Sequence, residues 1–317
     1  LAQSARHRKV IRVVCVGGAN MDLKCRIAAR TVLGTSNPGA TVLSPGGVAR
    51  NIAHNLALLG VGAALVSAVG RDAFGTQLLA ATAAAGVDTR GVIRTAGPTG
   101  SYHAVLNAKG ELILGVAAMD ILERLTPRRL AAGRMRLARA DLIVADSNLP
   151  NATLDRLIGF AAERGRRLAL ETVSVPKGGR LTRLLAAGRP LFALFCNRAE
   201  AAALTGRSEL RAAARRLHER GVRNIGIGLG RRGMFVSDGV QRGIVAALPA
   251  QVVDVTGAGD AAVAGTLYGL LRGHDLATAA RYGQAAAALT LASDRSVSPA
   301  LSERAIRRCV RSHRPSP

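Results

Sequence analysis

Short apolar runs of strand length alternate with Ala- and Leu-rich stretches of helical period along most of the chain. Val10 to Val16 reads as a first strand. Ile52, Leu56 and Leu59 repeat at helical spacing and predict a helix from Val48 to Leu59, which Gly60 ends. The same alternation predicts a strand at Ala64 to Val69, a helix from Phe74 to Ala85 closed by Gly86, a strand at Leu142 to Ala145, and a helix from Thr153 to Arg164 closed by Gly165. Further strands are expected at Leu168 to Glu171, Leu191 to Cys196 and Asn224 to Ile227, and the chain after Gly257 reads as helical. Strands that alternate with helices argue for an α/β fold, a central mostly parallel β-sheet flanked by helices, in a single domain spanning 1–317.

Two stretches break the rhythm. Residues 22–45 have no helical period and are punctuated by Gly34, Pro38, Gly39 and Pro45. Within 98–117, Tyr102 to Leu106 and Glu111 to Val116 read as a hairpin joined at Asn107-Ala108-Lys109-Gly110. Both are expected to form a small β-sheet lid that closes over a site or pairs with a second subunit as a homodimer. Residues 1–9 and 310–317 read as flexible tails.

Composition narrows the classes of partner. The 317 residues carry a formal net charge of +24, which favours polyanions through counterion release. The 40 Arg and 4 Lys are spread through nearly every segment, and three Tyr, five Phe and no Trp leave little to stack on bases. The charge therefore predicts salt-sensitive nonspecific binding and no specific nucleic acid ligand. The longest apolar stretches, Ala261 to Leu271 and Ala285 to Ala292, fall short of the roughly 20 residues that cross a bilayer. Cys15, Cys25, Cys196 and Cys309 are scattered, without a Cys-x-x-Cys pair or a nearby His, which points to a reducing cytoplasm and neither disulfides nor zinc.

The chemistry gathers in three stretches. Asp254-Val255-Thr256-Gly257-Ala258-Gly259-Asp260 places two carboxylates at the ends of a small turn before a helix. Gly257 and Gly259 allow backbone N–H groups to approach an anion, and the helix adds the positive end of its dipole. Asp260, on the first helical turn, is available as a base, so the turn can bind a phosphoryl group and deprotonate an alcohol, or it is simply a capped helix after a loop. The first strand ends in Gly17-Gly18-Ala19-Asn20-Met21-Asp22, at the carboxyl edge where parallel sheets bind ligands, and Asp22 can accept hydrogen bonds from two neighbouring hydroxyls of a sugar. Gly46-Gly47 opens the next helix, with Asn51 offering both a donor and an acceptor.

Gly46-Gly47-Val48-Ala49-Arg50-Asn51-Ile52-Ala53, the loop Gly70-Arg71-Asp72 to Gly75 and the Asp254 to Asp260 turn resemble, in order and spacing, the two signatures of the PfkB, or ribokinase-like, sugar kinase family. The resemblance runs from about Val13 to Ser302. Gly17 to Asp22, Ser36-Asn37-Pro38-Gly39, Met119-Asp120-Ile121, Glu171-Thr172-Val173-Ser174 and Asn197-Arg198-Ala199-Glu200-Ala201-Ala202 are further similar to the pseudouridine kinase branch of that family. The resemblance implies ATP and Mg²⁺ as cofactors, a ribokinase-like fold, and phosphorylation of the 5′-hydroxyl of pseudouridine; ribose, fructose or another nucleoside is the alternative acceptor. It implies that Asp260 is the general base and that the amides of Gly257, Ala258 and Gly259 form the anion hole for the γ-phosphoryl group.

Carried over in the same way, Asn20, Asp22, Gly46, Gly47, Asn51 and Asn148 hold the ribose. Asn197 and Glu200 place Mg²⁺, through water, and the phosphates. Gly228, Gly230 and Gly233 form the loop against ATP, with Gly228 standing where the family carries a hydroxyl residue, and Gln284 lies near the adenine position. Asp254 and Thr256, with Ser298, match positions that bind K⁺ in some relatives. Without the resemblance, Asn197 and Glu200 read as a helix N-terminus with an exposed acid, and His54 as a surface histidine. Tyr102 and His103 on the lid hairpin could meet a base or form an ordinary strand face, and Arg50 and Arg71 could meet phosphate or merely solvate loops. Two readings compete with the kinase: a nucleic-acid-binding protein on a degenerate kinase fold, and a dinucleotide oxidoreductase, which the strand after Gly233 disfavours.

Overall fold

Glycine-ended helices and uninterrupted apolar strands build the scaffold, which a computed structural model describes for residues 12–132 and 134–313. Its first half contains β1 (Arg12–Val16), β2 (Asn20–Ile27), β3 (Gly39–Gly46), α1 (Val48–Leu58), β4 (Gly62–Val66), β5 (Ala68–Gly70), α2 (Ala73–Ala84), β6 (Ile93–Thr95), β7 (Ser101–Leu106) and β8 (Leu112–Ala118). A 3₁₀ turn at Asp120–Arg124, α3 (Pro127–Ala132) and α4 (Arg134–Ala138) lead to β9 (Leu142–Asp146), α5 (Asn151–Glu163), β10 (Leu168–Glu171), α6 (Val175–Ala186), β11 (Leu191–Asn197), α7 (Arg198–Thr205) and α8 (Leu210–Glu219). The remainder is β12 (Val222–Gly228), β13 (Met234–Ser237), β14 (Arg242–Val245), α9 (Ala258–Leu271), α10 (Leu276–Leu291) and α11 (Glu303–Ser312).

The central sheet has the order β14-β13-β12-β11-β10-β9-β1-β4. Its six strands from β12 to β4 are parallel, and β13 and β14 add an antiparallel edge. Helices cover both faces and divide the core in two, with Val13, Cys15 and Leu142 packed toward α1, α9 and α10, and Val14, Val16 and Ile143 toward α5. β1 lies between β4 on one side and β9 on the other, so the chain leaves it in two directions and opens a crevice at its carboxyl end.

A second sheet, β3-β2-β7-β8, is built from the two stretches that break the helical rhythm. β7 and β8 form the expected hairpin, with Gly110 at φ +84° in its turn. The predicted strand at Ala64 to Val69 divides at Ser67, whose hydroxyl donates to the Gly17 carbonyl at 2.6 Å. Its first half joins the central sheet as β4 and its second half pairs with β6 as a separate ribbon. Residues 310–312, read as part of a tail, continue α11, while 1–9 and 314–317 lie outside the described residues. Among the described residues no helix is long and apolar enough to cross a membrane. All four cysteines are free thiols.

Candidate active site

Two helix N-termini meet over the crevice at β1. α1 begins after Gly47, at φ +97°, where a side chain would collide with the Gly18 carbonyl. α9 begins after Gly257, at φ +79°, where a Cβ would sit 1.9 Å from the Ser296 carbonyl oxygen. Only glycine meets both demands at these positions. The first N–H groups of a helix have no partner within it, so the Gly257 to Gly259 amides and the dipole of α9 favour an anion at this end. The two termini are joined directly, because Asn51 Nδ2 donates to Asp260 Oδ2 at 2.8 Å.

Asp260 is half-buried on the first turn of α9. Burial, reinforced by the negative charges of Asp146 and Asp22, pushes its carboxyl up to about 7 against the opposing Asn51 hydrogen bond. A carboxylate of this kind is matched to taking a proton near neutral pH. Arg50 donates to Asn51 Oδ1 at 2.9 Å and thereby turns the amide nitrogen of Asn51 toward Asp260. This arginine is 3% exposed and also holds the Pro45 carbonyl, Thr82 Oγ1 and His54 Nδ1, so neither solvation of a loop nor an open phosphate contact describes it. Burial draws the Arg50 guanidinium down to about 10 and the His54 imidazole down to about 4, the latter helped by the Arg50 charge.

The residues expected to hold the sugar line the termini of β1, β2, β3 and β9. Asn20 Nδ2 donates to Asp22 Oδ1 at 2.7 Å, and Ser296 Oγ to Asp22 Oδ2 at 3.4 Å. Gly46 lies against the Asp22 carboxylate, where a Cβ would come within 2.2 Å of Oδ2. Burial raises the Asp22 carboxyl above its usual range. Asn148 is nearly buried, receives Lys177 Nζ on Oδ1, and packs its amide nitrogen against Gly18.

Asp146, which the sequence reading passed over, holds this half of the site together. Fully buried at the end of β9, it accepts the N–H groups of Gly18 at 2.7 Å, Ala49 at 2.9 Å and Asn148 at 2.9 Å. One carboxylate thus fixes the glycine turn after β1, the N-terminus of α1 and the polar residue after β9. The signal available was a polar residue closing the wholly apolar run Leu142-Ile143-Val144-Ala145, two positions before Asn148.

The residues expected to meet the nucleotide stand farther along the same edge. Asn197 and Gly228 are register partners at the ends of β11 and β12. Asn197 and Glu200 form a reciprocal cap on α7: Glu200 N–H donates to Asn197 Oδ1 at 2.9 Å, and Asn197 N–H to Glu200 Oε2 at 2.8 Å. The reading of Glu200 as an exposed acid is corrected, since it is 3% exposed and also receives Asn197 Nδ2 and the Thr172 hydroxyl. Gly228 leaves space, the nearest neighbour of an added Cβ being the Cys196 carbonyl oxygen at 3.7 Å. Gly230 and Gly233 flank a 3₁₀ turn at φ +59° and +94°. Gln284 is buried on α10, which packs along α9 through close contacts at Gly265 and Gly283.

Between the two groups, at the end of β10, Glu171 accepts the Val173 N–H at 2.8 Å and holds Val173 in the left-handed region at φ 61°. Burial, then repulsion from Asp260, Asp146 and Glu200, raises Glu171 well above an ordinary glutamic acid. Among the described residues no three His, Cys, Asp or Glu side chains are gathered to hold a metal ion by themselves. Asp254 is ion-paired with Lys24 and accepts the Thr256 N–H at 2.8 Å; burial opposes its charge, but these contacts hold its carboxyl below the usual range. Ser298 is buried, its hydroxyl accepting the Ala300 N–H at 3.3 Å.

The pattern of the pfkB family of carbohydrate kinases matches residues 10–303. The sugar kinase YeiI of Escherichia coli is 34% identical over 91% of this chain and 80% of its own length. The pseudouridine kinase of the same organism is 33% identical over 92% of this chain and 93% of its own. The structure of Arabidopsis thaliana ribokinase complexed with ribose and ATP superposes with a TM-score of 0.82 at 21% identity, over 95% of this chain and 98% of that one, which shows the ribokinase-like fold. The chain belongs to the pfkB family of carbohydrate kinases and is a phosphotransferase with an alcohol group as acceptor.

Proposed function

We propose that the protein transfers the γ-phosphoryl group of ATP to the 5′-hydroxyl of pseudouridine. The observation that carries the reaction is the Asp260–Asn51 hydrogen bond, which puts a base with a raised pKa beside two helix N-termini. Asp260 takes the proton of the acceptor hydroxyl while the amides of Gly257, Ala258 and Gly259 stabilise the charge on the transferring group. Asn20, Asp22, Gly46, Gly47, Asn51 and Asn148 hold the ribosyl part of the acceptor. Asn197, Gly228, Gly230, Gly233 and Gln284 receive the nucleotide. The crowded carboxylates around Glu171 suit a divalent cation brought with the phosphates, and Glu200, both oxygens engaged in its helix cap, would meet Mg²⁺ through water. Bound there, Mg²⁺ would neutralise phosphate charge.

The likeness to E. coli pseudouridine kinase over more than nine-tenths of both chains supports pseudouridine. The comparable likeness to the sugar kinase YeiI supports the second reading, in which another sugar or nucleoside is the acceptor. The apolar outer strands of the small sheet support a homodimer through the lid, and the free thiols support a reducing cytoplasm. An ATP-consumption series over pseudouridine, uridine, ribose, fructose and adenosine, with Asp260→Asn as control, tests the acceptor. Turnover that depends on Asp260 should be largest with pseudouridine. Asp260-dependent turnover with ribose or another sugar, and none with pseudouridine, would sink that choice.

A further inference from the structure

β2 presents Asp22 and Lys24 two positions apart, hence on one face of the strand. That face touches the phosphoryl-transfer turn twice. Asp22 meets Ser296, whose carbonyl lies against Gly257, and Lys24 Nζ pairs with Asp254 Oδ2 across 230 positions of sequence. The ion pair is largely covered, with side-chain exposures of 15% and 20%. The second oxygen of Asp254 is taken by the Thr256 N–H at 2.8 Å, inside the turn. Asp254 therefore already has its cation, and the residues expected to hold K⁺ do not fit a free ion. A lysine ammonium is a compact point charge with the same sign and unit charge as K⁺.

We propose that Lys24 is the resident cation of this turn: its ammonium neutralises Asp254 and ties lid strand β2 to the anion site, so that phosphoryl transfer needs no monovalent cation. Lys24 is a positioning residue, acting through Asp254 on the Gly257 to Gly259 amides. The inference rests on the kinase reading for its effect on rate, but its effect on the fold can be read without turnover. Removing one member of a covered ion pair leaves the other unpaired, which is costly unless a free ion replaces it.

The test compares wild type and Lys24→Met in K⁺, Na⁺ and choline chloride at equal ionic strength, following both ATP turnover and the melting temperature. Wild type should turn over at the same rate in K⁺ and choline. Lys24→Met should lose about tenfold or more in choline, as expected for an orphaned charge, and recover in K⁺, with its melting temperature rising selectively in that salt. Activation of wild type several-fold by K⁺ would overturn the proposal. So would a Lys24→Met variant impaired equally in all salts, because Lys24 would then be a structural tie and no substitute for an ion. Absence of turnover with every acceptor would count against the kinase reading alone, and the salt dependence of melting would still decide the role of Lys24.

Discussion

At the carboxyl edge of the central sheet, Asp146 and Glu200 are buried, Glu171 and Asp260 are half-buried, and each accepts hydrogen bonds from named groups, whereas Val42, Leu112, Leu114 and Val116 of the small sheet are more than half exposed. The first region draws its hydrogen bonds from within the chain. Its carboxylates are oriented by backbone N–H groups and by Asn51 and Asn197, so its chemistry can be argued atom by atom. The second leaves β3 and β8 paired on one side only and their apolar side chains unburied, which marks it as a surface for something that covers them. On the proposed function, the reaction belongs to the edge, and the choice of acceptor and of partner to the small sheet.

Asp146→Asn should break the edge most severely. An amide cannot accept at both of its positions, so at least one of the Gly18, Ala49 and Asn148 N–H groups loses its bond. The expected cost is about 2 kcal/mol in urea unfolding, with a raised KM for the acceptor. An unchanged unfolding midpoint would show that the glycine turn is held by other means.

The pH dependence of kcat/KM probes the same edge more gently. Because the Asp260 carboxyl is raised to about 7, the ionised base appears as pH rises through that value and is lost below it. Activity should therefore fall about tenfold per pH unit on the acid side. A profile flat down to the ordinary carboxylate range would mean that burial does not tune this group in solution.

The smallest effect on the reaction is expected at the lid. The double substitution Leu114→Lys with Val116→Lys places two charges on one face of β8 and should shift the species seen in sedimentation toward the monomer, with the melting temperature little changed. An unchanged mass would remove the dimer from this face and sharpen the contrast by leaving the lid to the acceptor alone.

The difference between the regions also explains what the sequence revealed. Strands such as Leu168–Glu171 and helices closed by Gly60, Gly86 and Gly165 were legible because apolar periodicity and a left-handed stop coincide. The Asp254 to Asp260 turn was legible as a glycine-opened helix start, and it stood out from an ordinary capped helix only through its order and spacing with the Gly17 to Asp22 and Gly46 to Asn51 stretches. α6 was not, since Gly178 and Gly179 in its first turns are poor helix formers and only packing of Gly178 against Thr172 accounts for the first. Ser67 escaped notice and Arg50 was read as a loop or phosphate residue, because one hydroxyl or one guanidinium gains its meaning from partners distant in sequence, Gly17 for the first and Thr82 for the second. The pairing of Lys24 with Asp254 was equally hidden, because charge pairs across two sheets leave no periodic trace.

The central claim is that Asp260 acts as the base at a site otherwise assembled by backbone groups. Its most direct test is Asp260→Asn, which keeps the shape and the bond to Asn51, compared with wild type in single-turnover phosphoryl transfer alongside calorimetric binding of the acceptor. The account predicts a loss of roughly 10²–10⁴ in the transfer rate with acceptor affinity nearly unchanged. A variant that transfers phosphate within about threefold of the wild-type rate, far short of what a lost general base costs, would contradict it.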